Sequence, residues 1–213
     1  MMKEIHEQPR AVKDTLNSVL KDGKIDLTDI GLAEEDIRRT SQIYIVACGS
    51  AYHVGMVAQY VIEDLVKIPV RVELASEFRY RKMPMHQNTL LIAISQSGET
   101  ADTLAALRLA KEKQLSTMAI VNVVGSSIAR EADRVFYTLA GPEISVATTK
   151  AYSAQLAAMY CLAVQFAKIK GNITQEQYAD YISELKTIPD KIQKILEDKE
   201  RLQLSLIHIS EPT

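Results

Sequence analysis

The sequence predicts an α/β fold built on one parallel sheet. Between residues 43 and 139, short apolar runs alternate with amphipathic helical patterns. Such alternation calls for crossover helices and a sheet covered on both faces. One junction, residues 90–109, shows the unit most plainly. Leu90-Leu91-Ile92-Ala93-Ile94 reads as a buried strand, Ser95 to Thr100 as a hydroxyl-rich loop, and the leucine–alanine run after it as a helix. A length of 213 residues suits one such domain with accessory helices.

Residues 1–40 read as an N-terminal helical arm. Pro9 opens a helix at its first turn. Val12, Leu16, Val19 and Leu20 form its apolar stripe, and Gly23 ends it. Five strands follow, at Ile43–Ala47, Val70–Leu74, Thr89–Ile94, Thr117–Asn122 and Arg134–Thr138. Helices fill roughly 51–66, 100–113 and 127–132 between them. The five strands are expected to pair in one parallel sheet. A long helix over 147–170 completes a central domain at 41–170. C-terminal helices occupy 171–203, with a break or kink expected at Pro189. Leu204 to Thr213 then switches to a largely uncharged, alternating pattern with no core to meet. It is similar to translated sequencing-adapter tails and is read as non-native, outside the fold.

Composition excludes several function classes. A net charge of -2 leaves no basic stripe for nucleic acid. Cys48 and Cys161 offer no disulfide framework, which points to a reducing cytosol. The first seven residues lack the apolar core of a signal peptide. Gln155, Gln165 and Lys168 interrupt the apolar stretch Ala151 to Ile169, so it reads as a buried helix and not a membrane span. The histidines are scattered, so no metal site is expected. No motif calls for a cofactor.

In open parallel sheets, ligands bind beyond the carboxyl ends of the strands. Three loops fall there. Cys48-Gly49-Ser50-Ala51 follows the first strand: Gly49 allows a tight turn, and Ser50 serves either a ligand or the helix as a cap. Ser95-Gln96-Ser97-Gly98-Glu99-Thr100 has more hydroxyls than one cap needs. It aims backbone N–H groups and hydroxyls at one spot above a helix N-terminus, a geometry that suits a phosphate. Without a lysine the loop is no P-loop, which disfavours Mg²⁺-dependent nucleotide chemistry and favours a phosphate monoester on a small metabolite. Glu99 reads as a first-turn glutamate stabilised by the helix dipole, in preference to a general base. In the third loop, Gly141 to Lys150, Thr148 or Thr149 caps the long helix, or the loop's backbone and Thr148 receive sugar hydroxyls. Lys150 either attracts the phosphate or is solvated. His53 reads as a surface or interface residue. Cys48 packs at a strand end, since no His–acid pattern supports a nucleophile. Tyr44 and Phe136 pack the strands.

The strand–SQSGET–helix unit resembles the phosphate loop of sugar-isomerase (SIS) domains. Further motifs, namely MMKEIHEQP (1–9), CGSAYHVG (48–55), ELASEFRYR (73–81), NVVGSSIAREAD (122–133) and GPEISVATTKAY (141–152), resemble the glutamine:fructose-6-phosphate aminotransferase family over residues 1–203. The resemblance implies an SIS-type, flavodoxin-like sandwich: a five-stranded parallel sheet between helices, with accessory N- and C-terminal helices. It implies sugar-phosphate contacts from Cys48, Gly49, Ser50, Ser95, Gln96, Ser97 and Thr100, and sugar-hydroxyl contacts from Val146 and Thr148. Ala51 stands where many members carry a serine that helps hold phosphate.

The resemblance also implies partners beyond this chain: a homodimer, a second SIS domain and a glutaminase domain. The family's proton-transfer glutamate, ring-opening histidine, C-terminal lysine and glutamine-hydrolysing cysteine match nothing here. The chain is therefore expected to bind the phosphosugar and to lack activity alone. Other readings are a phosphosugar-sensing regulatory module, or a stand-alone SIS isomerase or deglycase.

Overall fold

A computed structural model describes residues 1–81 and 86–199. The chain opens with α1 (Met2–His6) and α2 (Gln8–Asn17), then the short antiparallel pair β1 (Leu20–Lys21) and β2 (Lys24–Ile25). Next come a 3₁₀ turn at Thr28–Ile30 and α3 (Glu34–Arg39). The arm is thus not wholly helical. Pro9 lies in the first turn of α2 as expected, but that helix stops at Asn17. Gly23, at φ +74°, belongs to the turn between β1 and β2 and ends no helix.

The central unit runs β3 (Gln42–Ala47), α4 (Ser50–Val66), β4 (Val70–Leu74), α5 (Ala75–Phe78) and β5 (Thr89–Ser95). It continues with α6 (Ala101–Glu112), β6 (Ser116–Val121), α7 (Ser127–Glu131), β7 (Arg134–Tyr137) and α8 (Lys150–Ile169). Strands β3 to β7 form one parallel sheet in the order β4-β3-β5-β6-β7. The five expected strands are all present, each within a residue of its expected ends. Period-two alternation divides the sheet between two cores. Ile43, Ile45, Leu90, Ile92, Ile94, Met118 and Ile120 pack against α4 and α8. Tyr44, Val46, Leu91, Ala93, Ala119 and Val121 face α5, α6 and α7. Phe136, like Tyr44, is buried strand packing.

From β3 the chain steps one way to β4, then crosses back to β5 on the other side. The carboxyl ends of β3 and β5 therefore flank the point where strand order reverses, and a crevice opens there.

The last helix, α9 (Gln175–Glu197), starts with a capping box between Thr174 and Gln177. It runs through Pro189 without ending, against the expected interruption. Tyr178, Ile182, Leu185 and Pro189 make one continuous buried stripe against α2 and α8. Each buried Ile or Leu contributes about 1.5–3 kcal/mol. Ile182 and Leu185 together offset the ~3 kcal/mol cost of an interior proline. The tail at 204–213 lies outside the described residues. Among the described residues, no helix is long and apolar enough to cross a membrane.

Candidate functional site

The loop after β5 is tied together by its own hydroxyls. Ser95, almost fully buried, accepts the Gly98 N–H at 3.0 Å, and its Oγ lies 3.0 Å from Thr100 Oγ1. Ser97 Oγ accepts the Glu99 N–H at 3.2 Å. In the Ser95–Thr100 pair one hydroxyl donates to the other, so one proton stays free for a ligand. Ser97 keeps its proton too, because it only accepts within the loop. Thr100 sits at the N-cap of α6, yet its side chain makes no capping bond. The first-turn N–H groups of α6 thus have no side-chain acceptor.

Gly98 makes this bend possible. Its φ is +67°, and a Cβ there would stand 2.0 Å from Ser126 Oγ. The close approach lets the Gly98 carbonyl accept the Ile128 N–H at 2.9 Å, joining the loop to α7. Glu99 turns the same way. Its carboxylate accepts the Ser127 N–H at 2.7 Å, so it caps α7 and not its own helix, α6. Bonds from the Ser127 side chain and backbone hold the Glu99 carboxyl below the usual carboxylate range. An ionised carboxylate committed to a helix cap is a poor general base.

The loop after β3 provides a second open helix end. Gly49, at φ +57°, is the N-cap of α4 and carries no side chain to cap it. Ser50 is the first residue of α4 and makes no capping bond. The third loop differs, because Glu143 fills its helix end. The Glu143 carboxylate accepts the Thr149 N–H at 2.8 Å, the Ala151 N–H at 3.3 Å and the Thr148 hydroxyl at 3.0 Å. Neither Thr148 nor Thr149 caps α8. Having donated its proton, Thr148 Oγ1 retains lone pairs that suit a hydroxyl donor.

These loops enclose a cleft of about 190 Å³ at the carboxyl edge of the sheet. It is lined by Cys48 and Ala51, by Ile94 to Ser97 with Thr100, and by Thr148 and Gln155. Its lining includes no Asp, Glu, His, Lys or Arg. The arrangement can hold an acceptor-rich anion on neutral donors and helix N-termini. Cys48 Sγ accepts the Thr103 hydroxyl at 3.9 Å. The other thiol, Cys161, is pushed up to about 12 by burial.

A larger cavity, about 850 Å³, lies between β1–β2, α3 and α9. Several of its polar groups already have partners. Lys21 pairs with Asp29, Arg38 with Glu34, and the Tyr178 hydroxyl bridges Ile25 and Gln165. Among the described residues, no cluster of three His, Cys, Asp or Glu side chains gathers to hold a metal ion.

The family model described as the SIS domain matches residues 36–165. The chain belongs to the SIS domain family. It is 54% identical over 204 residues to the glutamine–fructose-6-phosphate aminotransferase [isomerizing] of Caldanaerobacter subterraneus subsp. tengcongensis, covering 95% of this chain and 34% of that protein. The enzyme of the same name from Clostridium tetani is 55% identical over 201 residues, with 94% and 33% covered. The chain thus spans about a third of the length of the curated relatives it matches. Among solved structures, the C-terminal domain of glucosamine-fructose-6-phosphate aminotransferase from Francisella tularensis superposes with a TM-score of 0.92. That chain is 46% identical, with 96% of this chain and 58% of that chain covered.

In this SIS domain, six of the expected residues line the cleft: Cys48, Ser95, Gln96, Ser97, Thr100 and Thr148. Gly49 and Ser50 are exposed beside it, at the start of α4. Val146 stands apart from these cleft-lining residues. Its side chain is wholly exposed and lines no part of the cleft. It lies between two anchored points, Ile144–Ser145 on Glu4 and Thr148–Thr149 on Glu143, and neither anchor turns it inward. Lys150 corrects an expectation. It is neither solvated nor in the cleft but buried, paired with Glu7 at 2.7 Å. His53 is exposed, its ring edge-on to Tyr52.

Sequence reasoning missed Gln155, Glu143 and the role of the N-terminal arm. The arm positions the third loop of the SIS domain. Glu4 accepts the Ile144 and Ser145 N–H groups at 2.7 and 3.1 Å, Glu7 holds Lys150, and Gln8 accepts the Ser153 hydroxyl at 2.6 Å. The backbone bonds from Ile144 and Ser145 keep Glu4 below its ordinary 4.5, and Lys150 does the same for Glu7. Carboxylates that ionise more readily when folded stabilise above 4.5, and that contribution disappears as pH falls through the lowered values. Amide-exchange protection at Ile144 and Ser145 should therefore decline below pH 4.5, and Glu4→Ala should remove it at neutral pH. Full protection in Glu4→Ala would show that the arm does not hold the loop.

Proposed function

We propose that the cleft binds the phosphate of a phosphorylated hexose, and that the chain is the first SIS unit of a glutamine–fructose-6-phosphate aminotransferase. One observation carries the reading: two helix N-termini without side-chain caps, together with the spare hydroxyl protons of Ser97 and the Ser95–Thr100 pair, border one cleft. A dianionic phosphate accepts from all of them. The roles follow from the donor inventory. Ser95, Ser97 and Thr100 donate hydroxyls, and the Gln96 amide adds a donor. Cys48, Gly49 and Ser50 present the start of α4. Thr148 accepts from a sugar hydroxyl, and Val146 contributes backbone only.

The cleft is smaller than the ~300–1,000 Å³ of sites that enclose a drug-sized ligand. The sugar ring therefore extends toward walls supplied by the rest of the enzyme. An apolar groove lined by Val61, Leu65, Tyr160, Val164, Leu185 and Ile188 supports a further unit packed nearby. In this reading the whole enzyme converts fructose-6-phosphate and glutamine to glucosamine-6-phosphate and glutamate. It works in the cytoplasm as a homodimer, with a second SIS domain and a glutaminase domain and without a cofactor. The relatives' names and the 54% identity support it.

Calorimetric titration tests the reading. Fructose-6-phosphate should bind, and fructose should bind far more weakly. Ser97→Ala removes one charge-assisted bond of about 1.5–3 kcal/mol, so affinity should fall roughly 10- to 100-fold at equal folded fraction. Equal affinity for both sugars would reduce the loop to an ordinary helix start.

A further inference from the structure

The aliphatic interior of α8 contains one polar group that its surroundings do not explain. Gln155 is 1% exposed, between Ala154 and the buried Ala157–Ala158 pair. Its Nε2 has no hydrogen-bond partner among the described residues. Two other glutamine side chains packed near core elements are engaged. Gln165, ten residues further along α8, accepts the Tyr178 hydroxyl at 2.7 Å, and Gln59 donates to the Val70 carbonyl at 2.9 Å. Buried donors in folded proteins are nearly always satisfied, so a lone one on a side chain that lines a cavity points to a ligand. Gln155 lines the cleft together with Ser95, Ser97 and Thr100.

We infer that Gln155 is a substrate-contacting residue whose side-chain N–H donates to an oxygen of the bound phosphate. The inference rests on the proposed phosphosugar reading and adds a donor from α8 to those from the loops after β3 and β5. The chemistry selects the phosphate over the sugar. Ser97 and the Ser95–Thr100 pair each offer a proton in the same 190 Å³, so the cleft calls for a group with several acceptor oxygens and no proton of its own. A phosphate dianion is that group. A sugar hydroxyl brings its own donor and finds its acceptor at Thr148.

The test uses the full chain, with inorganic phosphate and fructose-6-phosphate as probes. Gln155→Met keeps the length and removes both N–H groups. It should weaken both ligands by the same factor, about 10-fold or more. In the ligand-free state its Tm should equal or exceed that of the parent chain, because an unpaired buried amide is exchanged for an apolar side chain. In ¹H–¹⁵N spectra, the side-chain NH₂ signals that vanish in Gln155→Met should move downfield when phosphate is added to the parent chain. Normal affinity in Gln155→Met beside weakened Ser97→Ala would overturn this inference and leave the phosphosugar reading intact. A loss confined to fructose-6-phosphate would also overturn it, by moving the contact to the sugar. Failure of the parent chain to bind either probe would sink both.

Discussion

Gly98→Ala is expected to unfold the loop after β5. The new methyl group would stand 2.0 Å from Ser126 Oγ and 2.5 Å from Ser126 Cβ, on a backbone at φ +67°. Left-handed backbone costs a non-glycine residue about 1–2 kcal/mol, and overpacking adds about 1–3. Together these amount to roughly 2–5 kcal/mol, or a Tm lower by roughly 5–20 °C for a chain of this size. Sugar-phosphate binding should disappear with the loop geometry. A second substitution separates the two costs. Among the described residues Ser126 Oγ is buried without a hydrogen-bond partner, and the side chain does not cap α7. Adding Ser126→Gly to Gly98→Ala therefore removes the collision at little cost and leaves only the backbone strain. Thermal unfolding should show partial recovery in the double variant. No recovery at all would mean that the contact with Ser126 is not what forbids a side chain at position 98.

Ser95→Ala should impair binding more than Ser97→Ala does, although both remove one hydroxyl. The difference is what each oxygen does inside the loop. Ser95 Oγ accepts the buried Gly98 N–H and meets the Thr100 hydroxyl. Without it, the Gly98 N–H is left unsatisfied at a cost of about 1–3 kcal/mol, and Thr100 loses its partner. Ser97 lies partly in solvent, and water can replace its bond to the Glu99 N–H. Ser95→Ala should therefore lower both stability and affinity, the affinity by 100-fold or more, while Ser97→Ala lowers chiefly affinity. Paired unfolding and titration curves decide the matter. Equal stability losses in the two variants would contradict this division of labour. Thr100→Ser, which keeps the hydroxyl, should bind almost normally.

The misreadings share a physical cause. Lys150 reads as a phosphate-attracting or solvated cation because lysine is seldom buried without a partner. Its partner, Glu7, is 143 residues away, and nothing local announces the pair. Glu99 reads as serving its own helix because local pattern cannot see that α7 starts 2.7 Å from its carboxylate. Pro189 reads as a break or kink because the local cost is fixed, whereas the apolar stripe that offsets it and carries the helix through depends on where α2 and α8 lie. Gln155 was visible as a polar residue in an apolar stretch, and Gln165 gave the same signal. Only packing separates the satisfied amide from the unsatisfied one.

The sequence by itself determined what depends on neighbouring residues. Period-two and helical periodicity located the five strands and the helices between them. The Ser95–Thr100 loop carried its hydroxyls, its glycine and its place ahead of α6 in plain view. Tertiary structure decided everything that depends on convergence. The strand order β4-β3-β5-β6-β7 brings the ends of β3 and β5 together, the N-terminal arm ties down the third loop through Glu4 and Glu7, and Thr148 from that loop and Gln155 from α8 close the cleft. Local propensity follows from steric and hydrogen-bonding preferences of a few adjacent residues. Convergence follows from which apolar faces bury one another across the whole chain, and a binding site is made where those packed faces leave a polar group without a partner.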